Sequence, residues 1–354
     1  MLDCLSRYQD NKQIIKSIQY LPDQIRDVLG QARLIKIPAE YKSVSRVVVN
    51  GMGGSNLGAR IVKSVTIDKL KAPLDIVPGY EVPSYVDKNT LYILSSYSGT
   101  TEEPLSVYNK IKKRGAKILA ITSGGKMETL MLKDNIPGII FKPRFNPSGL
   151  PRLALGYSVF GTMILLAKSG LFSIKIKEIK EIINQLEISD RLLRPRIKEK
   201  NNIAKQIALN FYKKIPVLVG AEFLTGNLHA WRNQLCETSK NFALYLTLPD
   251  LNHFALEGLL CPTNNRNNLV FFFLDSNFYH QRVQLRSELT RKIVEKHKIK
   301  NSVYRVRGNT KLEQSFKVLQ LGSWVSFYLS VLNNVEADKT PFVDWFKKEL
   351  AQAK

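Results

Sequence analysis

The stretch RVVVNGMGGSNLGARIVKS, residues 46–64, joins an apolar β-branched run to a helical pattern through a glycine-rich turn. The run at 46–50 predicts a buried strand, and the apolar spacing after residue 56 predicts a helix packed against it. Glycines in the turn let the backbone approach a ligand closely, and the start of the helix offers free N–H groups to an anion. The stretch predicts one βα unit of a parallel sheet, whose turn is either an anion site or only a tight turn.

The same order of short strand and helical pattern repeats along the chain, which is typical of parallel sheets. We predict strands at 46–50, 74–77, 91–95, 117–122 and 138–141 in the first half, and at 215–220, 242–248, 268–274 and 302–306 in the second. Residues 174–214 lack strand signals and are charged and helical in pattern. Residues 310–350 predict two helices separated by a turn near 337–340.

These patterns predict an α/β protein with two doubly wound parallel-sheet domains in tandem. The first domain would span residues 1–170, including an N-terminal helical segment. A helical connector would occupy 171–214, and the second domain with its C-terminal helices would occupy 215–354.

Composition excludes several classes of protein. The 354 residues are 44% hydrophobic and 23% charged, which suffices for full-sized cores without a disulfide or metal staple. Cys4, Cys236 and Cys261 are isolated, which predicts a reducing, cytoplasmic setting and no metal site. The charge-free stretches 153–167 and 318–335 are too short or too polar for membrane spans and predict buried helices.

The formal net charge of +23 is the unusual global property. Such an excess can attract nucleic acid or an acidic surface. The basic residues are spread along the chain, and no aromatic-interleaved binding motif accompanies them. We therefore predict a solvated basic surface and no nucleic-acid or membrane partner.

Two loops that follow predicted strands, at 46–50 and 91–95, carry the chemistry. The glycine loop, GMGGSN at 51–56, fits neither the GxGxxG dinucleotide pattern nor the GxxxxGK[ST] nucleotide pattern. The hydroxyl loop, SYSGTTEE at 96–103, places Ser96, Ser98, Thr100 and Thr101 around Gly99. One of these hydroxyls could cap the following helix, with Glu103 closing a capping box. Capping does not explain four hydroxyl residues, which favour a loop that binds a phosphate without a cationic side chain.

The two loops, about forty-five residues apart, resemble the sugar isomerase (SIS) domain. Further segments are similar to bifunctional phosphoglucose/phosphomannose isomerases, in the same order along the chain. They are RFNPSGLPRLALGY at 144–157, WRNQLCETSKN at 231–241, LPDLNHFALEGL at 248–259 and ADKTPFVDWFKKEL at 337–350. The resemblance implies an aldose–ketose isomerase that interconverts glucose 6-phosphate or mannose 6-phosphate with fructose 6-phosphate through an enediolate, in glycolysis and gluconeogenesis.

The resemblance also implies the site residues. The substrate phosphate would be bound by Gly54, Ser55, Ser96, Ser98 and Thr101. Glu237 would move a proton between C1 and C2, Arg152 would stabilise the enediolate, and His253 would assist ring opening with Lys347 rather than Lys348. The family implies a homodimer in which the histidine comes from the second subunit. The chemistry needs a base, an acid and a positive charge, and no metal or organic cofactor.

Each residue also has an ordinary explanation. Glu237 could form a surface ion pair with Lys240, His253 could cap a helix, and Arg152 could pair with a surface carboxylate. Glu257, the nearest carboxylate after the histidine, is a second candidate site residue. We assign no role to the remaining histidines, which are His229, His280 and His297.

The chain departs from the family pattern near the site. Phe254 and Ala255 follow the histidine, and Cys236 and Thr238 flank the glutamate, where family members carry more polar groups. These changes bear on substrate preference and ring opening, as does Thr340, the counterpart we expect for the residue that sets epimer specificity. Two alternatives stay open: a non-catalytic sugar-phosphate sensor, and another two-domain SIS enzyme such as the isomerase part of a glucosamine-6-phosphate synthase.

Overall fold

The structure is a computed structural model and describes residues 2–353. The strands are β1 (Arg46–Asn50), β2 (Leu74–Ile76), β3 (Thr90–Ser96), β4 (Lys117–Thr122), β5 (Gly138–Ile140), β6 (Ile215–Ala221), β7 (Leu244–Leu248), β8 (Leu269–Asp275) and β9 (Lys300–Arg305). The helices are α1 (Lys12–Gln19), α2 (Leu21–Ala32), α3 (Gly54–Val65), α4 (Glu102–Ser106), α5 (Tyr108–Lys113), α6 (Gly125–Lys133), α7 (Leu155–Lys168), α8 (Ile176–Leu193), α9 (Ile203–Phe211), α10 (Thr225–Ser239), α11 (Asn265–Asn268), α12 (Gln281–Lys296), α13 (Lys311–Asn333) and α14 (Pro341–Gln352).

The strands form two parallel sheets. The first has the order β2-β1-β3-β4-β5 and the second the order β7-β6-β8-β9. In the first sheet Val48 is paired with Tyr92, so β1 and β3 end side by side. Their carboxyl ends, where ligands bind in such sheets, bring the glycine loop and the hydroxyl loop together.

Every predicted strand is present, with ends shifted by up to two residues. The strand predicted at 242–248 begins at Leu244, because the Asn241 side chain bonds to the main-chain oxygens of Lys214 and Phe242 and holds this turn out of the sheet. The strand predicted at 302–306 begins earlier, at Lys300. Since β9 is an edge strand with exposed positions, polar residues can begin it without a buried apolar run.

Helices of the two halves pack together around α10. This helix lies against both α3 from the first half and α13 from the second. The two charge-free stretches form the buried parts of α7 and α13, as predicted. Buried polar groups of α13 are satisfied, since Gln320 donates to the Leu186 carbonyl and Trp324 to Asp190. Within residues 2–353, no helix combines the length and the hydropathy needed to cross a bilayer.

A buried lysine fastens the N-terminal segment to the helical connector. Lys205 is fully buried, and its Nζ donates to Asp3 Oδ1 at 3.0 Å and to the Pro195 carbonyl at 2.9 Å. The ammonium lies 5.9 and 5.7 Å from the ring centroids of Tyr8 and Tyr328. The hydrogen bond from Lys205 lowers the pKa of Asp3. Because an unpaired buried ammonium would be costly, these partners stabilise the packing of the N-terminal segment on the connector.

We expect Lys205→Ala to lower the free energy of unfolding by roughly 2–4 kcal/mol, because it leaves a cavity and an unpaired carbonyl. Urea unfolding followed by circular dichroism measures the change. Lys200→Ala, which removes an exposed lysine from the same region, is the control. Equal stability of the two variants would show that the buried ammonium contributes nothing.

Candidate active site

The glycine loop and the hydroxyl loop are joined by direct hydrogen bonds. The Tyr97 amide donates to Ser55 Oγ at 2.8 Å, and Ser95 Oγ donates to the Ser55 carbonyl at 2.7 Å. Gly51 permits this approach, because a Cβ there would lie 2.6 Å from the Ser95 carbonyl oxygen. Ser55 is therefore buried where the two loops meet, and its hydroxyl proton remains available for a ligand.

The hydroxyls of the second loop bond to one another instead of capping a helix. Ser96 Oγ donates to Thr101 Oγ1 at 2.7 Å, and the hydroxyls of Ser98 and Thr100 lie 3.0 Å apart. Thr101 precedes α4 but its side chain makes no capping hydrogen bond, so the capping interpretation is wrong. Gly99 takes a φ of +69°, which suits glycine and lets the loop turn tightly.

Gly54 connects the glycine loop to the predicted arginine. A Cβ at this position would lie 2.8 Å from Pro151 Cβ and 3.1 Å from the Arg152 amide nitrogen. Only a residue without a side chain lets the segment before α7 pack this closely on the start of α3. The glycine loop and Arg152 therefore lie next to each other.

Arg152 is the central charge of the site and is 2% exposed. Its Nε donates to Thr238 Oγ1 at 3.0 Å, its Nη1 to Glu237 Oε2 at 3.3 Å, and its Nη2 to the Ala337 carbonyl at 2.7 Å. Burial lowers the pKa of Arg152, while the Glu237 carboxylate raises it. The three acceptors fix the orientation of the planar guanidinium, which presents several N–H donors in a rigid geometry.

Glu237 is the carboxylate that the structure brings to this arginine. It lies in the last turn of α10, and its side chain is 31% exposed, so one side faces the open site. The surface ion pair with Lys240 is wrong, because Lys240 Nζ donates to the main-chain oxygens of Glu237 and Glu336. Arg152 likewise pairs with a site carboxylate and not with one on the outer surface.

Three polar contacts of the site were not anticipated from the sequence. Thr238, which we expected only as a departure from the family pattern, supplies an acceptor to Arg152. The buried residue Ala337 offers its carbonyl from the segment before α14. Gln234 Nε2 donates to the Arg152 carbonyl at 3.0 Å and to Ser323 Oγ at 2.9 Å, which ties α10 to α13.

The structure does not bring His253 or Lys347 to the Glu237–Arg152 pair within one chain. His253 ends a short helical turn after β7 and is exposed, and its side chain has no hydrogen bond or ion pair with residues 2–353. The capping role is therefore wrong. Lys347 and Lys348 are exposed on α14. Thr340 precedes that helix and donates to the Asp344 carboxylate at 3.3 Å.

Known proteins share the fold of this chain. A family model described as the bacterial phospho-glucose isomerase C-terminal SIS domain matches residues 200–350. A hypothetical protein of Thermus thermophilus superposes with a TM-score of 0.75 at 13% identity, over 98% of this chain and 92% of that one. A glucose-6-phosphate isomerase like protein of the same organism gives a TM-score of 0.62 at 14% identity, over 98% of both chains. The family model places residues 200–350 in the SIS-domain class, and the two structures share the fold of nearly the whole chain.

Curated relatives identify the family within this class. A bifunctional phosphoglucose/phosphomannose isomerase of Caldicellulosiruptor bescii is 33% identical over 345 residues, covering 96% of this chain and all of the relative. The enzyme of the same name from Aquifex aeolicus is 29% identical, covering 86% and 90%. This chain belongs to the bifunctional phosphoglucose/phosphomannose isomerase family.

Proposed function

We propose that this chain interconverts glucose 6-phosphate and mannose 6-phosphate with fructose 6-phosphate through an enediolate intermediate. The single observation that carries the proposal is the pairing of the part-exposed Glu237 carboxylate with the buried Arg152, next to the glycine loop. Relatives over nearly the full chain are named for both sugar phosphates. A non-catalytic sensor is not favoured, because it would have no use for a base paired with a buried cation.

The substrate phosphate would lie between the two loops. Gly54 and Ser55 would supply contacts from one side, and Ser96, Ser98 and Thr101 from the other. The bonds among these loops support this arrangement for Ser55 and Thr101, because their hydroxyls accept one hydrogen bond and keep a proton to donate. Neutral donors that are held in place by neighbouring groups bind an anion with little reorganisation.

Glu237 would act as the base. Its carboxylate would take the proton from C2 of the open-chain aldose, the electrons would form the enediolate, and the protonated carboxyl, which can exchange its proton with solvent, would deliver a proton to C1 of the ketose. Arg152, oriented by Thr238 and Ala337, would stabilise the negative oxygen of the intermediate. This step requires no metal or organic cofactor.

Ring opening would be performed by His253, assisted by Lys347, in a homodimer whose active site lies at the subunit interface. Two observations support the dimer. The His253 side chain is exposed and has no partner among residues 2–353 of its own chain. Helix α14 buries none of its residues and leaves large apolar side chains open, with Phe342 86% and Trp345 63% exposed.

We also propose the tandem arrangement of two SIS domains, with a first domain at 1–170, a connector at 171–214 and a second domain at 215–354. Two separate parallel sheets with α8 and α9 between them support this division. A cytoplasmic location and a place in glycolysis and gluconeogenesis complete the proposal.

The experiment that tests the activity is a coupled assay of fructose 6-phosphate formation, run separately from glucose 6-phosphate and from mannose 6-phosphate. We expect turnover of both sugars. Turnover of one sugar alone would restrict the proposal to that epimer. Binding of both without turnover would refute the isomerase and support a sensor.

A hybrid dimer tests the shared active site. We expect Glu237→Gln and His253→Ala to be inactive as separate homodimers, and a hybrid of the two chains, purified through two different tags, to have about half of wild-type activity. The reason is that one of its two sites then combines an intact glutamate with an intact histidine. An inactive hybrid would show that each chain uses its own histidine.

A further inference from the structure

A cavity lies between the two sheets, outside the glycine loop and the hydroxyl loop. Its volume is about 930 Å³, and it is bounded by α3 and the segment around β2 on one side and by the start of α10 and β7 on the other. Its lining includes Arg60, Lys63, His229, Tyr245 and Lys311. None of the residues proposed to bind the substrate phosphate lines it.

Two partly buried arginines lie near this cavity without a carboxylate partner: Arg60 lines it, and Arg232 contacts the lining residues His229 and Tyr245. Arg60 Nε donates to Asn56 Oδ1 at 3.3 Å, and Arg232 Nε donates to Asn233 Oδ1 at 2.8 Å. Neither guanidinium forms an ion pair with any of residues 2–353. Burial lowers the pKa of Arg60, and the charge of Arg232 lowers it further. Two cations that have no carboxylate partner and are close enough to repel each other produce a positive potential, which favours the binding of an anion.

The acids around the cavity are already engaged elsewhere. Asp75 pairs with Lys63 at 3.6 Å and accepts a hydrogen bond from Tyr85 at 2.9 Å. Glu222 accepts the His280 amide at 3.0 Å. The positive charge of the two arginines is therefore not balanced by the lining.

An imidazole and a phenol complete the cavity wall beside the arginines. Arg232 Nη2 lies 3.3 Å from His229 Nε2, and its guanidinium lies 5.5 Å from the Tyr245 ring centroid. Burial, with the charges of Arg60 and Arg232, lowers the pKa of His229 to about 4. With Nε2 of the neutral imidazole accepting from Arg232, Nδ1 donates to the Tyr245 hydroxyl at 3.2 Å, which leaves the phenolic proton to donate to an anion.

We propose that this cavity is a second anion site, which binds a phosphorylated small molecule through Arg60, with Arg232 adding positive charge beside the lining residues His229 and Tyr245. Guanidinium groups match phosphate oxygens in geometry, and the volume accommodates an organic phosphate larger than a single ion. The site is separate from the proposed substrate site, although Asn56 connects them by donating to the Gly51 carbonyl at 3.0 Å.

Pyrophosphate is the probe that tests the site. The full chain is titrated by calorimetry in the presence of saturating glucose 6-phosphate that has reached equilibrium, so that the substrate site is already filled. We expect pyrophosphate to bind, and Arg232→Gln to weaken the binding at least tenfold. Arg191→Gln, which removes an exposed arginine without a side-chain partner among residues 2–353, is the matched control and leaves the affinity unchanged.

Three results would overturn the proposal. They are the absence of pyrophosphate binding, equal affinities of Arg232→Gln and Arg191→Gln, and competition between pyrophosphate and glucose 6-phosphate for one site. A change of oligomeric state in Arg232→Gln with unaltered pyrophosphate affinity would show that a carboxylate of a second copy neutralises the arginines. Because the readout is binding, the proposal is tested independently of the isomerase activity.

Discussion

Glu237→Gln is expected to lower kcat for fructose 6-phosphate formation by about 10³-fold, because an amide cannot accept the proton from C2. The substitution keeps the size of the side chain and an oxygen that can still accept a hydrogen bond from Arg152. In the unsubstituted protein Arg152 Nη1 lies 3.3 Å from Glu237 Oε2. The fold and the binding of sugar phosphate should therefore be retained. The coupled assay measures kcat, and calorimetry with fructose 6-phosphate measures binding.

Glu336→Gln provides the matched control for this change. Glu336 lies near the site, where its main-chain oxygen accepts Lys240, but its carboxylate is exposed and pairs with no residue in 2–353. We expect wild-type kcat from this variant. A loss of less than tenfold in Glu237→Gln would mean that another group removes the proton, and the exposed Glu257 would then be the next candidate.

Arg152→Lys is expected to lower kcat by about 10²–10³-fold and the free energy of unfolding by about 1–3 kcal/mol. A lysine keeps the charge but cannot reach Thr238, Glu237 and the Ala337 carbonyl at once, as the guanidinium does. At least one buried acceptor would lose its donor, and the charge beside the enediolate would no longer be oriented.

Arg144→Lys is the control for Arg152→Lys, because Arg144 is exposed in the same segment and has no side-chain partner among residues 2–353. Activity is expressed per folded molecule, with the folded fraction taken from urea unfolding. Reduced stability with unchanged kcat would assign Arg152 a purely structural role. Reduced kcat in both variants would mean that the loss of activity is not specific to the orientation of Arg152.

Much of the first sheet and its loops could be predicted from the sequence, since the signals there are local. The run at 46–50 and the glycines that follow it specify β1, its turn and the start of α3 within a few residues of one another. The hydroxyl loop after β3 is equally compact in sequence. Neighbouring parallel strands then bring the two loops together by register alone.

The surroundings of Arg152 could not be predicted from local signals. Its partners Thr238 and Ala337 are 86 and 185 residues away along the chain, and they reach it only because α10 and the segment before α14 pack there. Gln234 contacts Arg152 through the packing of the same helix. Spacing along a sequence does not encode such contacts, so the family pattern predicts a loss of polarity at Thr238, whereas the structure shows an acceptor.

Arg60 and Arg232 lie in the quoted stretches 46–64 and 231–241, but nothing in either stretch marks them as site residues. The two residues belong to helices of different halves, and each is an ordinary basic residue in a chain of net charge +23. Only the packing of α3 on α10 shows that they lack carboxylate partners among residues 2–353. The missing partners, and not the residue types, distinguish this site.

The measurement that tests the central claim most directly is nuclear magnetic resonance of fructose 6-phosphate incubated with the protein in D2O. A base that exchanges its proton with solvent should place deuterium at C2 of the aldose phosphates formed and at C1 of the ketose, and Glu237→Gln should abolish the labelling. Formation of aldose phosphate without any deuterium at C2, or labelling that persists in Glu237→Gln, would contradict proton transfer by Glu237 through an enediolate.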